Sequence, residues 1–331
     1  MTAFVITGIS LLLVLFHSAE AQQISTSCDV QCSYKEDVHE ANCERRLLNS
    51  IPIECSQSTY LSLRDNLITE IKPGVFRYFL SLKILILSRN NIYQIHANAF
   101  NGAYQLKYIK LLYNNLYTIS RDALNGTENL RSIHLGRNYL SSIEEGTFQL
   151  ALQLELINLS WNHLTYLSPA VFRHLKNLNR LYLGKNKLVD LPEGIFKDQS
   201  SLIYLDLSNN LLSSLPFNLF TNLLQLHTLD LSANRLMVIT FTLSNIHVLK
   251  LQNNELKHLG SASLENWTSV AERLYLEGNL WTYMAQLFMI YGPEAIYLGD
   301  RLRSWVRPEA RVPTLPPDFQ GPAGAVINLQ A

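Results

Sequence analysis

All four cysteines of this 331-residue chain, Cys28, Cys32, Cys43 and Cys55, cluster near its N-terminus. Clustered thiols in even number either oxidise in pairs or, as thiolates, hold a zinc ion. The Cys-x3-Cys spacing, with the remaining cysteines eleven and twelve residues apart, lacks the paired CxxC knuckles of a zinc site. Two disulfides stapling an N-terminal cap are the simpler reading, and they point to an oxidising compartment. Of the nine histidines, His134 and His163 lie nearest to a pairing, yet no serine, cysteine or carboxylate stands at a matched position. No Gly-rich phosphate loop or HExxH occurs, so neither catalysis nor a metal or cofactor is expected. Three sequons, Asn125-Gly-Thr127, Asn158-Leu-Ser160 and Asn266-Trp-Thr268, offer glycosylation sites in an exported chain.

The bulk composition narrows the classes further. Leucine is the commonest residue type by a wide margin, which points to a repeat or membrane protein. Lys plus Arg equals Asp plus Glu at 27 each, which removes the usual electrostatic case for a nucleic-acid or anionic-membrane partner. A hydrophobic content of 47% supplies ample surface for a core and argues against global disorder. One uninterrupted apolar stretch, Phe4 to Phe16, is too short to cross a bilayer comfortably. With Ala19 and Ala21 behind it, it reads as a signal peptide spanning 1–21, and no later stretch is expected to span a membrane.

What must position these residues is a period. Asn66, Asn90, Asn114, Asn138, Asn162, Asn186, Asn210 and Asn234 follow one another at 24-residue steps, and Asn254 and Asn279 come after steps of 20 and 25. The surrounding frame is LxxLxLxxNxL, as in Leu82, Leu85, Leu87, Asn90, Ile92 and again in Leu226, Leu229, Leu231, Asn234, Leu236. The LxL pair alternates with other residues, so each unit contributes a short strand with leucines facing inward. The asparagine amide carries both donors and an acceptor, and buried after the strand it can bond its own and neighbouring coils. Further on, pairs such as Ile71/Phe76, Ile95/Phe100, Ile143/Phe148, Leu167/Phe172, Leu191/Phe196 and Leu215/Phe220 make an inner row on the opposite side. Pro73, Pro169, Pro192 and Pro216 fall in the connecting segments.

This frame resembles the extracellular, 24-residue subclass of leucine-rich repeats. The resemblance implies an α/β fold: a curved horseshoe solenoid of about ten repeats with a parallel concave sheet. Residues 22–57 then form the cysteine cap, 58–281 the repeats, 282–306 a degenerate C-terminal cap and 307–331 a disordered Pro-rich tail. CERRLLNSIPIEC, Cys43 to Cys55, resembles the family's N-terminal cap, although a C-x-C cysteine expected near Tyr34 is missing. The family's pairing of second with fourth cysteine implies Cys32–Cys43 and leaves Cys28–Cys55. GNLWTYMAQLF, Gly278 to Phe288, resembles the start of a C-terminal cap without its proline or cysteines.

Side chains flanking the inward leucines project onto the concave face, where solenoids of this kind commonly bind partners. Tyr60, Ile84, Ile86, Tyr108, Leu112, Tyr113, Leu156 and Trp161 supply an aromatic and aliphatic zone. A modest basic zone follows from His134, Arg137, Arg180, Tyr182 and Lys185, then Tyr204 and the acidic pair Asp206 and Asp230, then Lys250. Close like charges at that pair await a cation or a basic partner. Asn158 points from the same strand face, so a glycan there would cover part of the aromatic zone, whereas Asn125 and Asn266 lie on convex segments.

The function expected is that of a secreted, non-enzymatic recognition protein with an extracellular protein or glycan ligand. The resemblance implies receptors, matrix proteins and innate-immune factors as company, and the end of the chain is similar to secreted mosquito leucine-rich immune proteins. The alternatives are a matrix or adhesion protein, with a homodimer through the C-terminal end around Phe288, and a piece of a Toll-like or other receptor ectodomain.

Overall fold

The computed structural model describes residue 28 and residues 31–243, 245–257, 273–282 and 326–327. The expected signal peptide, Asn266, Phe288 and all of the tail except Val326–Ile327 lie outside these residues. Strands form where the frame places its LxL pair. The chain opens with β1 (Ser33–Lys35) and β2 (Glu40–Asn42), followed by β3 (Tyr60–Ser62), β4 (Glu70–Ile71), β5 (Ile84–Ile86), β6 (Gln94–Ile95), β7 (Tyr108–Lys110) and β8 (Ser132–His134). The array continues through β9 (Leu156–Asn158), β10 (Arg180–Tyr182), β11 (Tyr204–Asp206), β12 (Thr228–Asp230), β13 (Val248–Lys250), β14 (Arg273–Tyr275) and β15 (Val326–Ile327).

All but β4 and β6 join one sheet in the order β1-β2-β3-β5-β7-β8-β9-β10-β11-β12-β13-β14-β15. Only β1 runs antiparallel to its neighbour, and β3 to β14 pair in step, Leu61 opposite Leu85, Leu85 opposite Ile109 and so on to Leu274. Those central residues are buried while most of their flankers are more accessible, so one face of the sheet covers the core. Glu70–Ile71 and Gln94–Ile95 make a separate two-stranded ladder. Among the described residues the return segments are built from turns rather than α-helices.

The buried asparagines hold successive coils at one spacing. Asn138 Nδ2 donates to Leu111 O and Leu135 O, 2.9 Å each, while its Oδ1 accepts the Leu116 N–H at 3.1 Å. The same three bonds recur at Asn90, Asn114, Asn162, Asn186, Asn210, Asn234, Asn254 and Asn279. Asn66 ties in the cap, donating to Cys43 O and accepting from the N–H groups of Arg46 and Leu48.

On the opposite side the phenylalanines form a spine. Phe148, Phe172, Phe196 and Phe220 stack with 6.4 Å between successive ring centroids. Parallel strands lie only ~4.8 Å apart. A solenoid whose outer side advances further per coil than its sheet must bend towards the sheet, which makes the sheet face concave.

The cap is stapled as expected, by Cys28–Cys55 and Cys32–Cys43. The sulfurs of Cys28, Cys32 and Cys55 crowd within 4.8 Å, but the two bonds use all four thiols, so no thiolate remains for zinc. Through β2, which pairs in parallel with β3, the cap extends the sheet and covers its first edge.

Asn138→Ala strands a buried N–H and two carbonyls, so it is expected to cost about 4 kcal/mol. Urea unfolding followed by circular dichroism measures it; the same change at the partly accessible Asn279 is expected to cost less than half as much.

Candidate binding face

Two columns of strand flankers, a third column in the turn after each strand and a trailing rim line the concave surface. The residue just before each framework asparagine adopts a left-handed backbone, with φ of 55° at Asp65, 58° at Arg89 and Tyr113, 55° at Arg137, and 57° at Trp161 and Lys185. For L residues that conformation costs roughly 1–2 kcal/mol. It is held because the N–H bonds the next coil, as in Arg137 N–H to Ser160 O at 3.0 Å and Trp161 N–H to Gly184 O at 2.9 Å. The side chain is thereby displayed at the sheet's edge: Tyr113 is 44% exposed and Trp161 43%.

These rim residues interlock. Arg89 lies over the Tyr113 ring at 4.9 Å, Arg137 over Tyr113 at 5.0 Å and over Trp161 at 4.1 Å, and Lys185 over Trp161 at 3.9 Å. At the cap end Asp65 continues the line, 4.0 Å from Arg89 and 3.5 Å from Arg45. Each cation–π contact contributes about 0.5–1 kcal/mol at an exposed site and fixes the direction of a long side chain. Beside the line, Tyr113, Asn114, Asn115, Arg137, Asn138, Tyr139 and Trp161 line a depression of about 380 Å³. Tyr139 also stacks on Tyr117 at 5.6 Å and meets His163 at 5.7 Å.

On the strands, Tyr60, Ile84, Ile86 and Leu156 are half-buried flankers and Tyr108 is exposed, and Leu112 is half-buried in the turn after β7. They share the concave surface with Arg180, Tyr182 and Tyr204, the two tyrosine rings lying 5.0 Å apart. Tyr113, Trp161 and Lys185 stand one step beyond the strands, on the rim.

Comparison with known proteins agrees with this geometry. A model described as BspA type leucine rich repeat region matches residues 69–203 in six copies, and a leucine rich repeat model matches 176–236. The chain belongs to the leucine-rich repeat family. Among solved structures, a leucine-rich repeat protein of Leptospira interrogans superimposes with a TM-score of 0.60 at 25% identity, over 75% of this chain and 68% of its own. A chain of the octameric complex of Latrophilin 3, Unc5D and FLRT2, in which FLRT2 is the leucine-rich repeat component, gives 0.64 at 20% identity over 90% and 91%. No curated protein matches the chain in sequence.

Within the leucine-rich repeat frame, the acidic pair has a local task that the sequence reading missed. Asp206 Oδ1 accepts the Ser208 N–H at 2.9 Å, and Asp230 Oδ1 accepts the Ser232 N–H at 3.0 Å and its hydroxyl at 2.5 Å, each capping the turn after its strand. Asn158 does the same for Ser160. Asp230 also holds Lys250 at 3.0 Å, so the basic partner expected for this pair is already supplied by the next strand. Gly184 leaves room for Asp206, whose carboxylate would lie 2.6 Å from any Cβ there. Burial pushes the Asp206 carboxyl up, against the lowering effect of its Ser208 bonds, and Asp230 adds to the rise. Burial, with Asp206 and Asp230, pushes the Tyr204 hydroxyl up to about 12.

One histidine differs from its sequence reading. Ser132 Oγ lies 3.2 Å from His134 Nε2, so a serine does accompany it on β8. Burial first and Lys110 second push the imidazole down, and among the described residues no carboxylate orients it. Asn125 sits in a return segment, its amide donating to Asn98 at 2.9 Å, with Thr127 buried behind it.

A carboxyl whose folded pKa is raised favours folding when protonated, and this contribution is lost as pH rises from the unfolded pKa through the folded one. Asp206→Asn keeps the cap, as Asn158 demonstrates, without the buried charge. The variant is expected to be at least as stable as wild type at pH 7, the difference closing below the carboxylate range; unfolding midpoints at pH 3 and pH 7 check this.

Proposed function

We propose that this chain is a secreted, non-enzymatic recognition protein that engages an extracellular macromolecule through its concave sheet face and adjoining rim. The observation that carries the reading is the exposed line Arg89, Tyr113, Arg137, Trp161, Lys185, whose side chains are ordered by one another and point away from the core. Pre-ordered aromatics and arginines lower the entropic cost of binding and are the residue types that dominate interface energies. The contact set comprises Tyr60, Ile84, Ile86, Tyr108, Leu112, Leu156, Arg180, Tyr182, Tyr204, Asp206 and Asp230 around that line.

The disulfide cap supports an extracellular setting, and no helix among the described residues is long and apolar enough to cross a membrane. The similar fold of a leucine-rich repeat within a complex containing Latrophilin 3 and Unc5D supports protein recognition. A glycan at Asn125, on a return segment, leaves the face open, and one at Asn158 would push contacts towards the first three repeats or onto a flank.

Replacing Tyr108, Tyr113 and Trp161 together by serine is expected to abolish capture of partners from extracellular fluid while circular dichroism stays unchanged. Undiminished capture by the folded variant would remove this face from consideration.

A further inference from the structure

The chain's neutral balance conceals a segregation of charge. Across the five coils built on Asn90 to Asn186, the strands and their two rims carry nine cations. Lys110 and Arg180 lie on strands, Lys83, Lys107 and Arg131 on the leading rim, and Arg89, Arg137, Lys185 and Lys187 at the trailing rim. Glu155 is the one anion there, and Arg131 holds it at 2.8 Å. The return segments of the same coils carry Asp122, Glu128, Glu144, Glu145, Asp190, Glu193 and Asp198 against four cations.

Among the described residues, Lys83, Lys107, Lys110, Arg137, Arg180 and Lys185 take part in no ion pair. Lys83 and Lys107 occupy equivalent positions on adjacent coils, linked by the Lys107 N–H to Lys83 O bond, where like charges repel. Arg89, Arg137 and Lys185 recur on every second coil, about 10 Å apart, with aromatic rings rather than carboxylates between them. The rings fix Arg137 and Lys185 without neutralising them, while Arg89 also faces Asp65 at 4.0 Å.

We propose that this face binds a linear sulfated polysaccharide lying across the five coils, its repeating anionic groups meeting the regularly spaced cations. The proposal rests on the concave-face reading and names the partner's chemistry. A linear polyanion is favoured over an acidic protein because the cations are drawn out along two rims across five coils rather than gathered in a compact patch.

The test is binding of the full secreted chain to a heparin oligosaccharide long enough to span five coils, measured by calorimetry at increasing salt. Binding that weakens steeply with salt is expected, because each neutralised anion releases a counterion. Changing Arg89, Arg137 and Lys185 together to serine is expected to weaken it at least tenfold. The same change at Arg173, Lys176 and Lys197, on return segments, is expected to leave it intact. Absence of heparin binding, equal loss in both variants, or equal affinity for single-stranded DNA of matched charge would each overturn the glycan assignment. If a protein partner is still captured and lost in the aromatic triple variant, the recognition face stands and only its glycan ligand falls.

Discussion

Everything in this molecule follows from the demands of one buried amide per coil. A framework asparagine satisfies its donors and acceptor only if the preceding coil presents a leucine carbonyl and an N–H at fixed places, so each coil dictates the position of its neighbour. The frame therefore cannot slip along the strands. In the shortened unit between Asn234 and Asn254, Asn254 still accepts the Leu236 N–H at 3.1 Å and still donates to Leu231 O. The shortening is absorbed in the return segment, where Phe241 turns edge-on to Phe220 instead of stacking.

The same constraint creates the rim. To aim the asparagine inward directly after a strand, the backbone must reverse its twist at the preceding residue, and the left-handed conformation found there throws that side chain outward. In a solenoid these residues fall in register, so a chain position repeated once in every unit becomes a continuous edge. Rings and cations alternate along it, and each holds the next in place.

Much of this was legible in the sequence. The LxL leucines, the asparagine ladder, the Phe76 to Phe220 row and the family-implied cysteine pairing all appear where the frame puts them, because each is a burial or bonding requirement repeated coil after coil. The rim was harder to see. Tyr113 and Trp161 look like strand flankers under a simple alternation, and nothing about a tyrosine or tryptophan announces a positive φ. Asp206 and Asp230 looked like a free acidic pair because capping of a turn two residues on, and a lysine reaching across from the next strand, depend on backbone direction. The Ser132–His134 contact was missed because partners were sought at repeat spacing, and this pair sits two residues apart on one strand. Whole-chain neutrality likewise averaged over two surfaces with opposite signs.

The phenylalanine spine has a mechanical side. Its rings act as shims on the outer arc, and the strands as an inextensible inner band, so the shim thickness sets how closely side-chain tips converge inside the arc. In the coil that carries Tyr113 the shim is Leu124, which is aliphatic and buried, between Phe100 and Phe148. The aperture of the concave face is thus written into residues on the far side of the core, which never reach its surface.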